Sequence, residues 1–141
     1  VAADALFEAR AAGRGVQVSC SRPARVLGCR ESLRRALENI VRNAVTYTAA
    51  GTDVEIGLDV VDGRVEIRVE DRGPCVPEAD LPHLFAPFYR VAEGRERSSG
   101  GAGIGLAIAM QAVKAHGGSL AVANRQGASG LTVTMTLPLA D

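Results

Sequence analysis

Asn39 and Asn43 stand four residues apart in a stretch whose apolar residues recur with helical spacing, so both amides project from one stripe at the border of the apolar face. A half-buried amide must find hydrogen-bond partners, in water and neighbouring backbone or in a ligand. Asp71, followed by Arg72-Gly73-Pro74-Cys75, falls where an alternating segment gives way to a long irregular one. A carboxylate at a strand end beside glycine can accept hydrogen bonds from a ligand lying flat against the sheet, or serve as an ordinary turn aspartate. A third feature, Gly100-Gly101-Ala102-Gly103-Ile104-Gly105-Leu106, leads directly into a helix. Backbone N–H groups without a Cβ beside them can approach phosphate closely, and a helix N-terminus adds a favourable dipole; the plain alternative is a flexible linker.

Two familiar phosphate loops do not fit these glycines. A Walker loop requires Gly-Lys-Ser/Thr, and the one lysine, Lys114, lies deep in the following helix. A Rossmann turn requires a strand immediately before the glycines, where Arg95-Glu96-Arg97-Ser98-Ser99 stands instead.

The elements that must position these groups follow from period. Val16, Val18 and Cys20 alternate on one face of a strand that starts at Gly15, and residues 24–29 read as a second short strand after Ser21-Arg22-Pro23. Leu33, Ala36, Leu37, Ile40, Val41, Ala44 and Thr48 form one face of an amphipathic helix that ends before Gly51. Val54, Ile56, Leu58 and Val60 alternate, as do Val65, Ile67 and Val69, and Asp62-Gly63 between them predicts a hairpin. Residues 71–103 form a long stretch carrying Pro74, Pro77, Pro82 and Pro87, of the kind that is functional or mobile. Residues 104–116 read as a helix apolar nearly all round, stopped by Gly117-Gly118, and residues 119–123 and 131–137 as two further strands. Strands arriving in pairs favour an α/β (α+β) sandwich, a mixed or antiparallel sheet with helices on one face, over a doubly wound fold.

The 141 residues allow one domain. Hydrophobic residues at 47% and charged ones at 23% predict a packed core, and 16 basic against 16 acidic residues supply no global field to attract nucleic acid. No apolar run reaches the ~18 residues of a membrane span. Residues 4–14 read as the tail of a helix, which suggests a fragment of a longer protein. Cys20, Cys29 and Cys75 are too few and too far apart for a disulfide scaffold and read as buried, reduced thiols.

Taken in order, four segments resemble the ATP-binding catalytic domain of bacterial sensor histidine kinases. Their superfamily also contains type II topoisomerase ATPase subunits, mismatch-repair ATPases and a class of heat-shock chaperones. The segments are an N-box (Glu38-Asn39-Ile40-Val41-Arg42-Asn43-Ala44, with Tyr47), a first glycine box (Asp71-Arg72-Gly73-Pro74), an F-box (Leu84-Phe85-Ala86-Pro87-Phe88-Tyr89-Arg90) and a second glycine box (Gly101-Ala102-Gly103-Ile104-Gly105-Leu106). The resemblance covers essentially residues 1–141 and implies a Bergerat-type fold.

It also implies a site. Asn43 would ligate Mg²⁺ through its amide oxygen, with Asn39 supporting the metal or its water shell; a neutral ligand suffices because the triphosphate supplies the charge. Asp71 would accept the adenine amino group, where guanine would present a carbonyl, so ATP is preferred over GTP. Tyr47 would lie against the base and Gly73 would let it approach the backbone, with Cys75 and Val76 at the adenine end. Gly101, Gly103, Ile104, Gly105 and Leu106 would line the phosphates, and Arg42 and Arg90 would neutralise them, Arg90 with Asn43 in a catalytic role. Residues 74–102 would form a lid over the nucleotide.

Three positions depart from the pattern. Cys75 stands where a glycine is usual, and a left-handed backbone there would cost ~1–2 kcal/mol. Thr46 replaces a basic residue and Ala86 an acidic one.

The implied activity is transfer of the ATP γ-phosphoryl group to a histidine of a helical phosphoacceptor domain of the same parent protein, with a response regulator downstream. The parent would be a membrane-bound sensor and this domain cytoplasmic. His83 and His116 do not fit an acceptor, which should be helix-borne and followed by an acidic residue. The alternatives are an ATP-operated clamp, which needs a catalytic Glu where Asn39 stands, and a non-catalytic nucleotide-binding or docking module.

Overall fold

Two alternating segments meeting at Asp62-Gly63 build the centre of the sheet. In the computed structural model, which describes residues 15–20, 24–86 and 105–140, they are β2 (Asp53–Val61) and β3 (Arg64–Glu70), paired antiparallel with Val61 opposite Arg64. Asp62 and Gly63 take positive φ of 50° and 73°, as a tight hairpin turn of matching twist requires.

The sheet has five strands in the order β1-β2-β3-β5-β4. β1 (Gly15–Cys20) lies parallel to β2 at one edge; β5 (Leu131–Pro138) pairs antiparallel with β3, and β4 (Ser119–Asn124) pairs antiparallel with β5 at the other edge. The predicted mixed sheet is therefore present, its parallel step made by the crossover through the first helix.

That helix, α1 (Arg30–Tyr47), buries Ala36, Ile40, Val41, Ala44 and Val45. Its partner α2 (Gly105–Ala115) buries Ala107, Ala109 and Val113 and packs against α1. Both faces meet the same side of the sheet, where Val54, Ile56, Val69, Leu120, Val133, Met135 and Leu137 complete the core. Period-2 alternation sends Glu55, Arg68, Glu70, Thr132 and Thr134 to the opposite side. α2 is not buried all round: Ile108 is 38% exposed, on a face shared with Gln111 and Lys114. It stops as expected, Gly118 and Gly117 donating to the carbonyls of Val113 and Lys114 at 2.9 and 3.0 Å.

Residues 24–29 are not a strand. The segment runs directly into α1 without pairing to the sheet, with Val26 turned to the core and Leu27 exposed. It is held instead by two long-range bonds, from Ala140 N–H to the Arg25 carbonyl at 2.8 Å and from Cys29 N–H to His116 Nε2 at 3.0 Å. The cysteines also differ from the expectation of buried thiols: Cys29, at the exposed start of α1, and Cys75, in the loop after Gly73, are both free and solvent-facing. Residues 4–14, the side chain of Cys20 and residues 87–104 lie outside the described residues.

Candidate nucleotide site

The end of α1 is tied to the start of the long loop. Thr48, 1% exposed, caps the helix with its N–H on the Ala44 carbonyl at 2.9 Å, while its hydroxyl accepts the N–H of Arg72 at 2.9 Å. Ala49 N–H adds a bond to the Arg72 carbonyl at 3.3 Å. Gly73 then passes so close to the Tyr47 carbonyl that any Cβ there would collide with it. A different physical reason for this glycine thus emerges beside the predicted one: the helix end needs the space.

Asp71 is 2% exposed. A buried carboxylate must be hydrogen-bonded, and Oδ1 accepts the N–H groups of Gly73 at 2.9 Å and Leu131 at 3.2 Å. Its own N–H donates to the Leu131 carbonyl at 3.0 Å, continuing the β3–β5 ladder one residue further. The guanidinium of Arg72 turns the other way, onto the Asp53 carbonyl at 2.9 Å and Glu55 at 3.0 Å.

Antiparallel packing of the helices carries the N-terminus of α2 back along α1. A Cβ on Gly105 would stand 3.7 Å from the amide oxygen of Asn39, so the second glycine box begins against the N-box. Asn39, Asn43 and Tyr47 are all half-buried, as their stripe predicts. The start of α2 therefore stands beside Asn39, and the loop that follows Asp71 stands beside Tyr47, at two points along α1.

The remaining predicted residues divide. Leu106 packs into the main core. Val76, 2% exposed, packs in a satellite cluster with Leu131, Leu81, Leu84 and Val122, so its side chain is structural. Arg42 is exposed and ion-paired with Glu38 at 3.4 Å, a helical i,i+4 pair on the solvent side. Thr46 returns its hydroxyl to the Arg42 carbonyl at 2.8 Å. Of the F-box, Phe85 packs on the main core; Arg90, Gly101, Gly103 and Ile104 lie outside the described residues. Cys75 carries no left-handed strain, since Asp62 has the one positive φ of a non-glycine residue among the described residues.

His83 sits exposed in a short 3₁₀ turn, Glu78–His83. His116 is structural: Nε2 accepts the Cys29 N–H, so Nδ1 carries the proton and donates to the Ala112 carbonyl at 2.7 Å. Asn124, Ser129 and Gly130, which reach the Asp71–Val76 loop through long-range bonds and contacts, were not among the residues singled out from sequence, and Thr48, which does the same, was read there only as part of the helix face.

Residues 28–141 match the family of histidine kinase-, DNA gyrase B- and HSP90-like ATPases. The sensor histidine kinase CpxA of Escherichia coli is 40% identical over 137 residues, covering 96% of this chain and 29% of that protein. CusS of the same organism is 41% identical over 133 residues, covering 94% of this chain and 27% of its own length. The chain thus spans under a third of these relatives. Among solved structures, the mycobacterial sensor histidine kinase MprB superposes with a TM-score of 0.86 at 30% identity, over 97% of this chain and 92% of that one. Full-length ShkA in complex with AMPPNP superposes with a TM-score of 0.82 at 30% identity, over 99% of this chain and 28% of that one.

Proposed function

We propose, since this chain belongs to the histidine kinase-, DNA gyrase B- and HSP90-like ATPase family, that it binds Mg-ATP and passes the γ-phosphoryl group to a histidine on a separate helical domain of its parent sensor kinase. The observation that carries this reading is that α1 is met at Asn39 by the start of α2 and at Tyr47 by the loop whose Gly73 N–H holds the Asp71 carboxylate.

The donor chemistry suits each part of the ligand. Asp71 is held by two backbone N–H groups on Oδ1, which fixes its carboxylate to accept an exocyclic amine and to repel a carbonyl at the same place. That selects adenine over guanine. The amide oxygens of Asn43 and Asn39 would hold Mg²⁺ as neutral ligands, matching a cation whose charge is met by phosphate and whose shell is mostly water. Held by these two amides, Mg²⁺ would supply positive charge to offset that of the phosphates. Gly105 opens α2 without a side chain, so its N–H groups face a phosphate without steric obstruction, and the helix dipole favours that charge.

Phosphoryl transfer asks the protein for position and charge rather than covalent chemistry. In this reading α1 and α2 orient the triphosphate, Tyr47 covers the base, residues 74–102 close over it and Arg90 meets the γ-phosphate. Residues 1–141 act as the catalytic and ATP-binding domain; the acceptor histidine, the dimer contacts and the response regulator belong to other domains or proteins. The parent is a membrane-bound sensor with this domain on its cytoplasmic side. No described helix is long and apolar enough to cross a membrane.

Mixing this chain with the acceptor domain of its parent and radiolabelled Mg-ATP tests the reading. Acid-labile, base-stable phosphate on the acceptor is the expected product, and Asn43→Asp should abolish it while the variant stays folded. Phosphate released to water instead would identify a clamp-type ATPase. Nucleotide bound without turnover would identify a binding module.

A further inference from the structure

The turn between β4 and β5 also closes on the Asp71–Val76 loop, whose Gly73 lies against the end of α1. Asn124, the last residue of β4, meets Val76 with both ends of its amide: Oδ1 accepts the Val76 N–H at 2.9 Å and Nδ2 donates to the Val76 carbonyl at 2.7 Å. A side chain here does what the backbone of a neighbouring strand would do. The tie is partly shielded, because Val76 is buried beside Leu131 and Val122. Ser129 Oγ donates to the Gly73 carbonyl at 2.6 Å, and Gly130, at φ 129°, lies against the Asp71 carbonyl where no Cβ would fit.

These contacts converge on one group. Gly73 N–H and Leu131 N–H both hold Asp71 Oδ1; Ser129 fixes the first from its carbonyl side, and the second is the residue that follows Gly130 in the same turn. Asn124 anchors the loop beyond Pro74-Cys75, so the segment is pinned on both sides of its two exposed residues. We infer that Asn124 and Ser129 are positioning residues that set the orientation of the Asp71 carboxylate, and with it the discrimination between an adenine and a guanine nucleotide. The inference rests on Asp71 as the base-recognising group. Loosening either tie lets residues 72–76 shift and the carboxylate pivot, which weakens a directional bond to an exocyclic amine more than contacts to ribose or phosphate.

Calorimetric titration of Mg-ATP and Mg-GTP into the wild-type chain, Ser129→Ala and Asn124→Asp, with melting followed in parallel, tests this. Asn124→Asp keeps the acceptor for Val76 N–H and sets a carboxylate oxygen against the Val76 carbonyl. ATP affinity should fall about three- to thirty-fold in each variant, as loss or reversal of one or two hydrogen bonds implies, while GTP affinity changes less, so the ATP:GTP ratio contracts. In an Asp71→Asn background the same substitutions should leave that ratio unchanged. An unaltered ratio in folded variants, a parallel fall for both nucleotides, or a Ser129→Ala chain that no longer folds would overturn the inference and leave both residues as ordinary structural ties. A wild-type chain without preference for ATP would be a separate failure, that of the role given to Asp71.

Discussion

Asn39 lies against the first residue of α2, its amide oxygen 3.7 Å from where a Cβ on Gly105 would stand. That separation is ordinary van der Waals contact, so the glycine is not demanded by packing. Gly105→Ala should therefore keep the fold, and replacing a helical glycine could add up to about 1 kcal/mol of stability. In the ATP-binding reading the added methyl crowds the phosphate approach, and Mg-ATP affinity should drop about three- to ten-fold, the worth of one hydrogen bond. Thermal melting and calorimetry on the one variant separate the two effects; unchanged affinity would remove Gly105 from the site.

Gly73 presents the contrary case. A Cβ there meets the Tyr47 backbone carbonyl, which cannot rotate away. Gly73→Ala should destabilise the chain by about 1–3 kcal/mol, the usual cost of forcing atoms into a packed region. Urea unfolding measures it. A stability equal to wild type would mean that the contact between the end of α1 and the first glycine box is looser than described.

Cys29 and Cys75 are both exposed and free, which gives an internal control for occupancy of the site. Each should react with a thiol alkylator in the absence of nucleotide. A saturating ATP analogue with Mg²⁺ should slow alkylation of Cys75, which follows the glycine box, and leave Cys29 unchanged. Peptide mapping by mass spectrometry reads both rates; equal rates at Cys75 with and without nucleotide would place it away from the adenine.

On the open face of the sheet Arg68 bridges Asp59 at 2.8 Å and Glu66 at 3.2 Å. The hydrogen bond that the guanidinium donates to Asp59 chiefly holds its pKa above the ordinary value, against the opposing effect of burial. A raised pKa contributes stability that is present below the unfolded value and disappears only as pH climbs through the folded one. Arg68 thus stays charged across all ordinary pH. Both carboxylates and the arginine remain partly exposed to solvent, so Arg68→Gln should cost at most about 1 kcal/mol, and most of that difference should vanish in 1 M salt. A larger, salt-independent loss would show that the triad is more deeply desolvated than its exposure indicates.

Much of this was readable in the chain itself, for reasons visible at particular residues. The run from Leu33 to Thr48 and the hairpin at Asp62-Gly63 were legible because burial on one face imposes a period, and period survives in sequence. Residues 24–29 alternate without being a strand, because a strand needs a long-range pairing partner, which local pattern does not encode. Asp71 and the Asn39–Asn43 stripe could be picked out by residue type beside glycine. Thr48, Asn124 and Ser129 could not: each acts on backbone 24 to 56 residues away, and a threonine, asparagine or serine at a helix or strand end is most often a local cap or turn former. Exposure of Cys29 and Cys75 was misjudged for a related reason, since the tendency of cysteine to be buried says nothing of a helix start or a loop apex.

The most direct test is a crystal structure of this chain with AMPPNP and Mg²⁺. The adenine amino group should lie within hydrogen-bond distance of the Asp71 carboxylate, the metal on the Asn43 amide oxygen and the phosphates at the start of α2. Nucleotide bound elsewhere, or bound here with Asp71 turned wholly onto protein donors and no metal at Asn43, would contradict the account.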